Sequence, residues 1–322
     1  MKALNTMNSH LLLEGISKPY FEAFMVRNTL VYSKSRLVLK SALALILLFL
    51  SGSVSAQQSS EWFRHAAISP DGKTIVFSHS GDVYSVDAKG GVARALTTND
   101  AWDGFPVWSH DGKQLAFASD RHGNLDIFLM PAEGGKAKRL TYHSANDIPA
   151  DFSISNEAVL FASSRTDSAT TSIFPTGRMP ELYEISTKGG TPRMVTTIAG
   201  SEARFTIDGK KILYRDEKAY ENEFRKHDVS SFARDIWVMD IESGEHTQLT
   251  DFKGGDHDPV ATKDGIFYLS EDGKNEGGKN NFNVWQMKAD GSKKKQLTEF
   301  ETHPVRNLSA VSYTHLTLPT KA

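Results

Sequence analysis

From residue 61 to about residue 300 the chain alternates short apolar runs with breaks rich in Gly, Asp and Ser. The runs favour branched and aromatic residues and carry no 3.6-residue period. This predicts β-strands joined by turns, not helices. The pattern also returns. "ISPDGKTIVFSHSGDVYSVDAKGGVARALT" is followed by "WSHDGKQLAFASDRHGNLDIFLMPAEGGKAKRLT". Three more units align with them, beginning "FSISNEAVLFASS", "FTIDGKKILYRDE" and "ATKDGIFYLSEDG". They close on Thr97, Thr141, Thr196, Thr250 and Thr298, at spacings of 44, 55, 54 and 48 residues. Each unit predicts four strands. Four-stranded units at this period point to β-propeller blades, whereas a β-sandwich has no reason to repeat this way. The expected fold is therefore all-β, with blades over roughly 61–98, 99–142, 143–197, 198–250 and 251–298.

Position within the unit assigns roles. Asp71-Gly72, Asp111-Gly112, Asp208-Gly209 and Asp264-Gly265 sit between the first two strands, where a tight hairpin needs positive φ. The third unit has Asn156-Glu157 there. The third strand opens with an acid or amide before an aliphatic–aromatic pair, as in Asp82-Val83-Tyr84, Asp126-Ile127-Phe128, Glu181-Leu182-Tyr183, Asp235-Ile236-Trp237 and Asn283-Val284-Trp285. Those aromatics are expected to pack between blades.

"FETHPVRNLS" repeats the approach to a blade, so a sixth is expected to begin at 299. The next stretch, "AVSYTHLTLPTKA", lacks the expected hairpin and apolar strand and resembles translated sequencing adapter. Residues 309–322 are accordingly expected to be a non-native tail, with the sixth blade incomplete.

Ahead of the repeats, Lys34, Arg36 and Lys40 flank the apolar run "ALALILLFL", and "SGSVSAQQ" follows. This is the three-part pattern of a secretory signal peptide, cut after Ala56, and the run is too short for a membrane span. Either Met1 or Met25 suits as the start. The extension through Ala56 holds six Lys/Arg and two Glu, which leaves 31 basic and 37 acidic residues, a net charge of −6. That balance does not suit a nucleic-acid binder. The absence of cysteine excludes disulfides, thiolate metal sites and cysteine nucleophiles. An exported, cysteine-free, mildly acidic chain suits a bacterial periplasm.

Catalytic motifs are missing: no Gly-x-Ser-x-Gly elbow, no His-Glu-x-x-His and no phosphate loop. "GGDHDP" offers Asp256, His257 and Asp258 as metal ligands. Yet Asp103 and Asp147 fill the same slot, so these carboxylates are expected to cap turn N–H groups in loops leading into the blades. His143, His227 and His303 lie on predicted loops without a paired acid. No metal and no cofactor is expected.

Beyond the blades, the stretches "FASDRHGNLDIFLMPAEGG", "RLTYHSANDIPADFS", "FPTGRMPELYEI", "FRKHDVSSFARDIWVMD" and "THPVRNLS" resemble bacterial tricorn-type serine peptidases over residues 61 to about 308. The Tol-system propeller shares the generic repeats. The resemblance implies the first, six-bladed propeller of an exported peptidase, one that gates or guides peptides. A second propeller, a PDZ domain and a serine catalytic core would follow, and the parent would be a homo-oligomer. In that family the catalytic residues lie in the later domains, so none is assigned here. Two other readings are a periplasmic interaction propeller without enzymatic activity, like the Tol-system one, and the propeller of a prolyl-oligopeptidase-type hydrolase.

The long connections, Arg165–Pro180, Arg215–Arg234 and Glu271–Asn281, fall on one face of the blades. Loop elaboration on one face of a rigid scaffold marks the interacting side. Arg121, Arg165, Arg178, Arg225, Lys226 and Arg234 are the candidates there for contacting a peptide or another domain.

Overall fold

The computed structural model of the chain describes residues 63–165, 179–218, 233–273, 281–311 and 315–317. All belong to one compact unit, Trp62–Ala322. The proposed leader lies outside the described residues.

Five antiparallel four-stranded sheets follow one another. The first comprises β1 (Arg64–Ile68), β2 (Thr74–His79), β3 (Asp82–Asp87) and β4 (Arg94–Ala95). The second comprises β5 (Asp103–Trp108), β6 (Gln114–Ser119), β7 (Asp126–Pro131) and β8 (Lys138–Arg139). The third comprises β9 (Asp147–Phe152), β10 (Ala158–Ser163), β11 (Glu181–Ser186) and β12 (Arg193–Thr196). The fourth comprises β13 (Gly200–Phe205), β14 (Lys211–Asp216), β15 (Ile236–Asp240) and β16 (His246–Gln248). The fifth comprises β17 (Asp256–Thr262), β18 (Gly265–Ser270), β19 (Asn283–Met287) and β20 (Lys295–Gln296). In every sheet the strands are ordered as in the chain. The all-β propeller expected from the repeat is present, with no helix among the described residues.

Apolar faces of the middle strands fill the space between blades. Phe117 and Phe128 of blade two pack on Val76, Val83 and Leu96 of blade one. Phe161 and Tyr183 of blade three pack on Ile127 and Leu129 of blade two. The same arrangement continues with Tyr214 against Leu160 and Leu182, and with Tyr268 against Leu213 and Ile236. Burying large aliphatic and aromatic side chains at each boundary is the main force that seats one blade on the next.

The inner strands run in sequence: β1 touches β5, β5 touches β9, β9 touches β13, and β13 touches β17. The sixth position is taken by β21 (Ser309–Val311), paired with β22 (His315–Thr317). β21 touches both β17 and β1, and the Ile68 N–H donates to Ser309 Oγ at 3.2 Å. Residues from 309 onward, set apart in the sequence reading as a tail, thus supply the strand that bridges blade five to blade one. Val305 and Leu308 complete a small core with Val260, Leu269 and Val284.

In blade five Thr262 pairs with Gly265 across a tight two-residue turn, but the Asp-Gly turns of blades one, two and four differ from the tight hairpin the sequence suggests. Ser69 N–H donates to Thr74 O, and Gly72 N–H donates to Ser69 O. Asp71 accepts from Ser69 Oγ (2.6 Å) and from Lys73 N–H (3.1 Å), so its side chain braces the loop. Ser109/Asp111 and Thr206/Asp208 repeat this. Only the glycines take positive φ: Gly72 at 74°, Gly112 at 70° and Gly209 at 66°. In blade three Asn156 takes that place, at 63°. The hydroxyl bonds hold the Asp71, Asp111 and Asp208 carboxyls below their ordinary range.

Each inner strand carries a bulge where it meets the second strand. His65, Phe105, Glu202 and Asp258 sit there with φ between 49° and 52°, and Pro149 holds that place in blade three. Non-glycine residues in this region are strained and persist only where the surroundings enforce them. The bulge residues of β1 and β5, and of β13 and β17, touch. The His65 and Phe105 rings are 3.8 Å apart. Asp258 N–H donates to Glu202 (2.8 Å), and Asn307 N–H donates to Asp258 (2.9 Å).

Candidate interaction site on one rim of the blades

One rim of the propeller is built from the starts of the inner strands, the ends of the second strands and the closing threonines. The threonines explain the strongest repeat signal. Thr97 Oγ1 accepts the Val83 N–H (3.0 Å) and donates to Asp82 (2.8 Å). Thr141 does the same for Ile127 and Asp126, and Thr298 for Val284 and Asn283. Thr250 takes the Ile236 N–H. In blades one, two and five the acid or amide opening the third strand is thus the partner of the threonine closing the fourth. Two residues before the threonine, Arg139, Gln248 or Gln296 donates to the threonine's carbonyl. Arg139 and Gln248 also reach the acid, at Asp126 and Asp235.

A second repeated assembly lies beside it. In blade two Asp103 pairs with Ser119 across the inner two strands, with Phe117 two residues before that serine and Arg121 two after. Asp103 is fully buried and accepts from Arg121 at 2.7 Å. The guanidinium lies 5.5 Å from the Phe117 ring centre and 4.9 Å from that of Phe128. Blade three repeats it with Asp147, Phe161, Ser163 and Arg165. Blade four moves the acid onto the second strand: Lys218 pairs with Asp216 (3.5 Å) and with Asp235, and Trp237 Nε1 donates to Asp216. Burial opposes the charge on Lys218, but Asp235 and Asp216 raise its pKa. Blade one has no charge here. Phe63 packs edge-on against Phe77 and beside His79.

Blade five departs from this pattern. Asp256 pairs with Ser270, and Tyr268 supplies the aromatic, but Asp272 occupies the position of Arg121 and Arg165. Asp256 is 1% exposed, and its Oδ1 has no hydrogen-bond partner among the described residues. Burial pushes its carboxyl up to about 7, against the lowering influence of Ser270 and Thr250. A pocket of about 370 Å³ opens over it, walled by Phe252, Tyr268 and Asp272 and flanked by Asp251 and two lysines, Lys253 and Lys294.

Further in, Arg215 binds Glu202 and Glu217, each at 2.6 Å, and Arg234 pairs with Glu217 at 2.9 Å. Burial would raise the Glu202 carboxyl, but Arg215 and His257 hold it well below the usual carboxylate range. Asp258 next to it is pushed up by burial and by Glu202.

Of the six cationic residues predicted for this side, Arg121, Arg165 and Arg234 sit in these ion pairs, with side chains 25%, 13% and 12% exposed. Arg178, Arg225 and Lys226 lie outside the described residues, as does His227. Asp103, Asp147 and Asp256 begin inner strands instead of lying in the predicted turn loops, and Asp103 and Asp147 face arginine partners. Among the described residues no group of three acids or histidines is placed to hold a metal. The Asp–Arg pairs were missed although both show the same 18-residue spacing.

The family described as the tricorn protease N-terminal beta propeller domain matches residues 60–315. No curated protein sequence matches the chain. Among solved structures, the tricorn protease superimposes with a TM-score of 0.62 at 19% identity, over 77% of this chain but 23% of that one. TolB from Acinetobacter baumannii superimposes with a TM-score of 0.59 at 21% identity, over 77% of this chain and 57% of that one. At these identities the likeness is one of fold. The chain spans about a quarter of the length of the tricorn protease.

Proposed function

The chain belongs to the tricorn protease N-terminal β-propeller family, and on that premise we propose that it is the non-catalytic propeller of an exported serine peptidase. Its role there is to guide peptides toward, or away from, a catalytic core carried by other domains. The observation that supports this most is the extent of the family match, which takes in every blade described above. The rim adds chemical sense. Buried carboxylates lie along it, where a passing peptide or a neighbouring domain would lie. We further propose a periplasmic location with cleavage after Ala56, a second propeller, a PDZ domain and a serine core as covalent partners, and a homo-oligomeric parent.

A propeller fold alone hosts many functions, and TolB shares this one. Two measurements separate the readings. Genomic sequence read in frame beyond codon 308 should encode a serine peptidase core; a stop directly after blade six would sink the peptidase reading. N-terminal sequencing of the periplasmic protein should begin at Gln57.

A further inference from the structure

We propose that the blade-five pocket is a receptor for the guanidinium of an arginine side chain on another polypeptide, which would take the place that Arg121 and Arg165 fill in blades two and three. The inference goes beyond the peptidase reading and does not depend on which chain brings the arginine.

The argument is one of internal homology. In blades two and three a buried acid at the head of the inner strand, a serine opposite it and an aromatic ring two residues earlier make a slot, and the chain fills that slot with its own arginine. Blade five keeps the acid, the serine and the ring as Asp256, Ser270 and Tyr268. It replaces the arginine with an acid, Asp272. Blades one and four lose the slot in other ways. Blade one replaces the acid by Phe63, and blade four replaces it by Gly200, where a Cβ would stand 2.7 Å from the Tyr214 ring. Only blade five, among the five, presents the slot with a carboxylate in the cation's position.

Among the described residues no cation is bonded to Asp256, which lines the pocket. Its buried Oδ1 accepts no hydrogen bond among them; Asp103 Oδ1 accepts none either, but Asp103 holds Arg121 on its other oxygen. A buried carboxylate oxygen without a donor is costly, and a fork of N–H donors is its best complement. Tyr268 offers the ring face on which a guanidinium stacks. Asp251 adds negative charge at the mouth, and Lys294, 3.5 Å away, offsets part of it. A planar guanidinium fits a carboxylate flanked by a ring better than an ammonium does, so arginine is favoured over lysine.

The raised carboxyl of Asp256 agrees with this geometry, because it is what burial without a matching cation produces. Asp235 pushes in the same direction, while Lys294, Ser270 and Thr250 oppose it. Proton and guanidinium then compete for one carboxylate.

The test titrates the chain with N-acetyl-arginine amide, following heat or NMR shifts at pH 8 and pH 5.5. Saturable binding in the millimolar range is expected at pH 8, about tenfold weaker at pH 5.5. The citrulline analogue, which keeps the shape and loses the charge, should bind at least about tenfold more weakly. Asp256→Asn, which mimics the protonated acid and so keeps the fold, should lose binding. Asp272→Arg should fill the slot from within, abolish binding and raise Tm. Absence of saturable binding, equal binding of citrulline, or unchanged binding in Asp256→Asn overturns the proposal.

Discussion

The guanidinium of Arg165 donates to both carboxylate oxygens of Asp147, at 3.2 and 2.5 Å. Asp147 is fully buried, and the guanidinium also lies 5.0 Å from the Phe161 ring centre. Removing one partner of such a pair leaves the other charge stranded. Arg165→Ala is expected to lower unfolding free energy by about 3–5 kcal/mol in urea titrations. Arg165→Lys should lose about half as much, because an ammonium lacks the two-pronged geometry. The double variant Asp147→Asn, Arg165→Met should recover most of the loss. If it is no more stable than Arg165→Ala, the stranded-charge account is wrong.

The closing threonines should be individually important. Thr141→Val keeps the shape but removes the acceptor of the Ile127 N–H and the donor to Asp126. It should cost about 1–3 kcal/mol, the range for a buried group left unsatisfied. Thr196 takes a different partner, the Ile198 N–H, outside the third strand. Thr196→Val should therefore cost clearly less. Equal losses at both sites would refute the lock between third and fourth strands.

Turn conformation gives a paired prediction. Gly112→Ala forces a side chain into a backbone at φ 70° and should cost about 1–2 kcal/mol. Asn156→Gly relieves the same conformation in blade three and should be neutral or stabilising in thermal melts. A destabilised Asn156→Gly would show that the Asn156 side chain contributes more than its φ, through its 3.3 Å bond to the Asp111 N–H.

Asp256 sets a pH dependence. Its carboxyl rises from the ordinary 3.8 to about 7, so between those values the folded chain holds a proton that the unfolded chain has lost. The contribution is fully present below about pH 4 and is lost as pH rises through 7. The stability difference between wild type and Asp256→Asn should accordingly move against wild type from pH 4 to pH 7.5. A constant difference across that range would contradict the raised carboxyl.

The fold was legible because a propeller repeats its constraints. One Asp-Gly turn is weak, but four at the same point of the unit, each before an apolar strand, leave little else. The threonines were legible as markers, while their chemistry was not: Thr97 and Asp82 meet only once the fourth strand lies beside the third. The ion pairs of the rim were harder still. Arg121 and Arg165 read as free cations on loops, because nothing local reveals that Asp103 and Asp147 sit under them. The clue was a shared spacing between two blades, together with its failure in a third, where Asp272 stands. The bulge residues His65, Phe105, Glu202 and Asp258 gave no signal at all, since a sequence carries no mark of φ when the residue is not glycine.

Three bonds between neighbouring inner segments run one way. Asp151 accepts from Phe205 N–H, Glu202 from Asp258 N–H, and Asp258 from Asn307 N–H. In these three the earlier segment offers the acceptor and the later one brings the amide. A chain emerging from its N-terminus can therefore dock blade upon blade as it is made, each docked blade preparing the next. The exception is the closure, where Ile68 must find Ser309 across 241 residues of chain. That contact carries the largest loop-closure entropy of those linking neighbouring inner strands, so the ring forms as a growing arc and closes last.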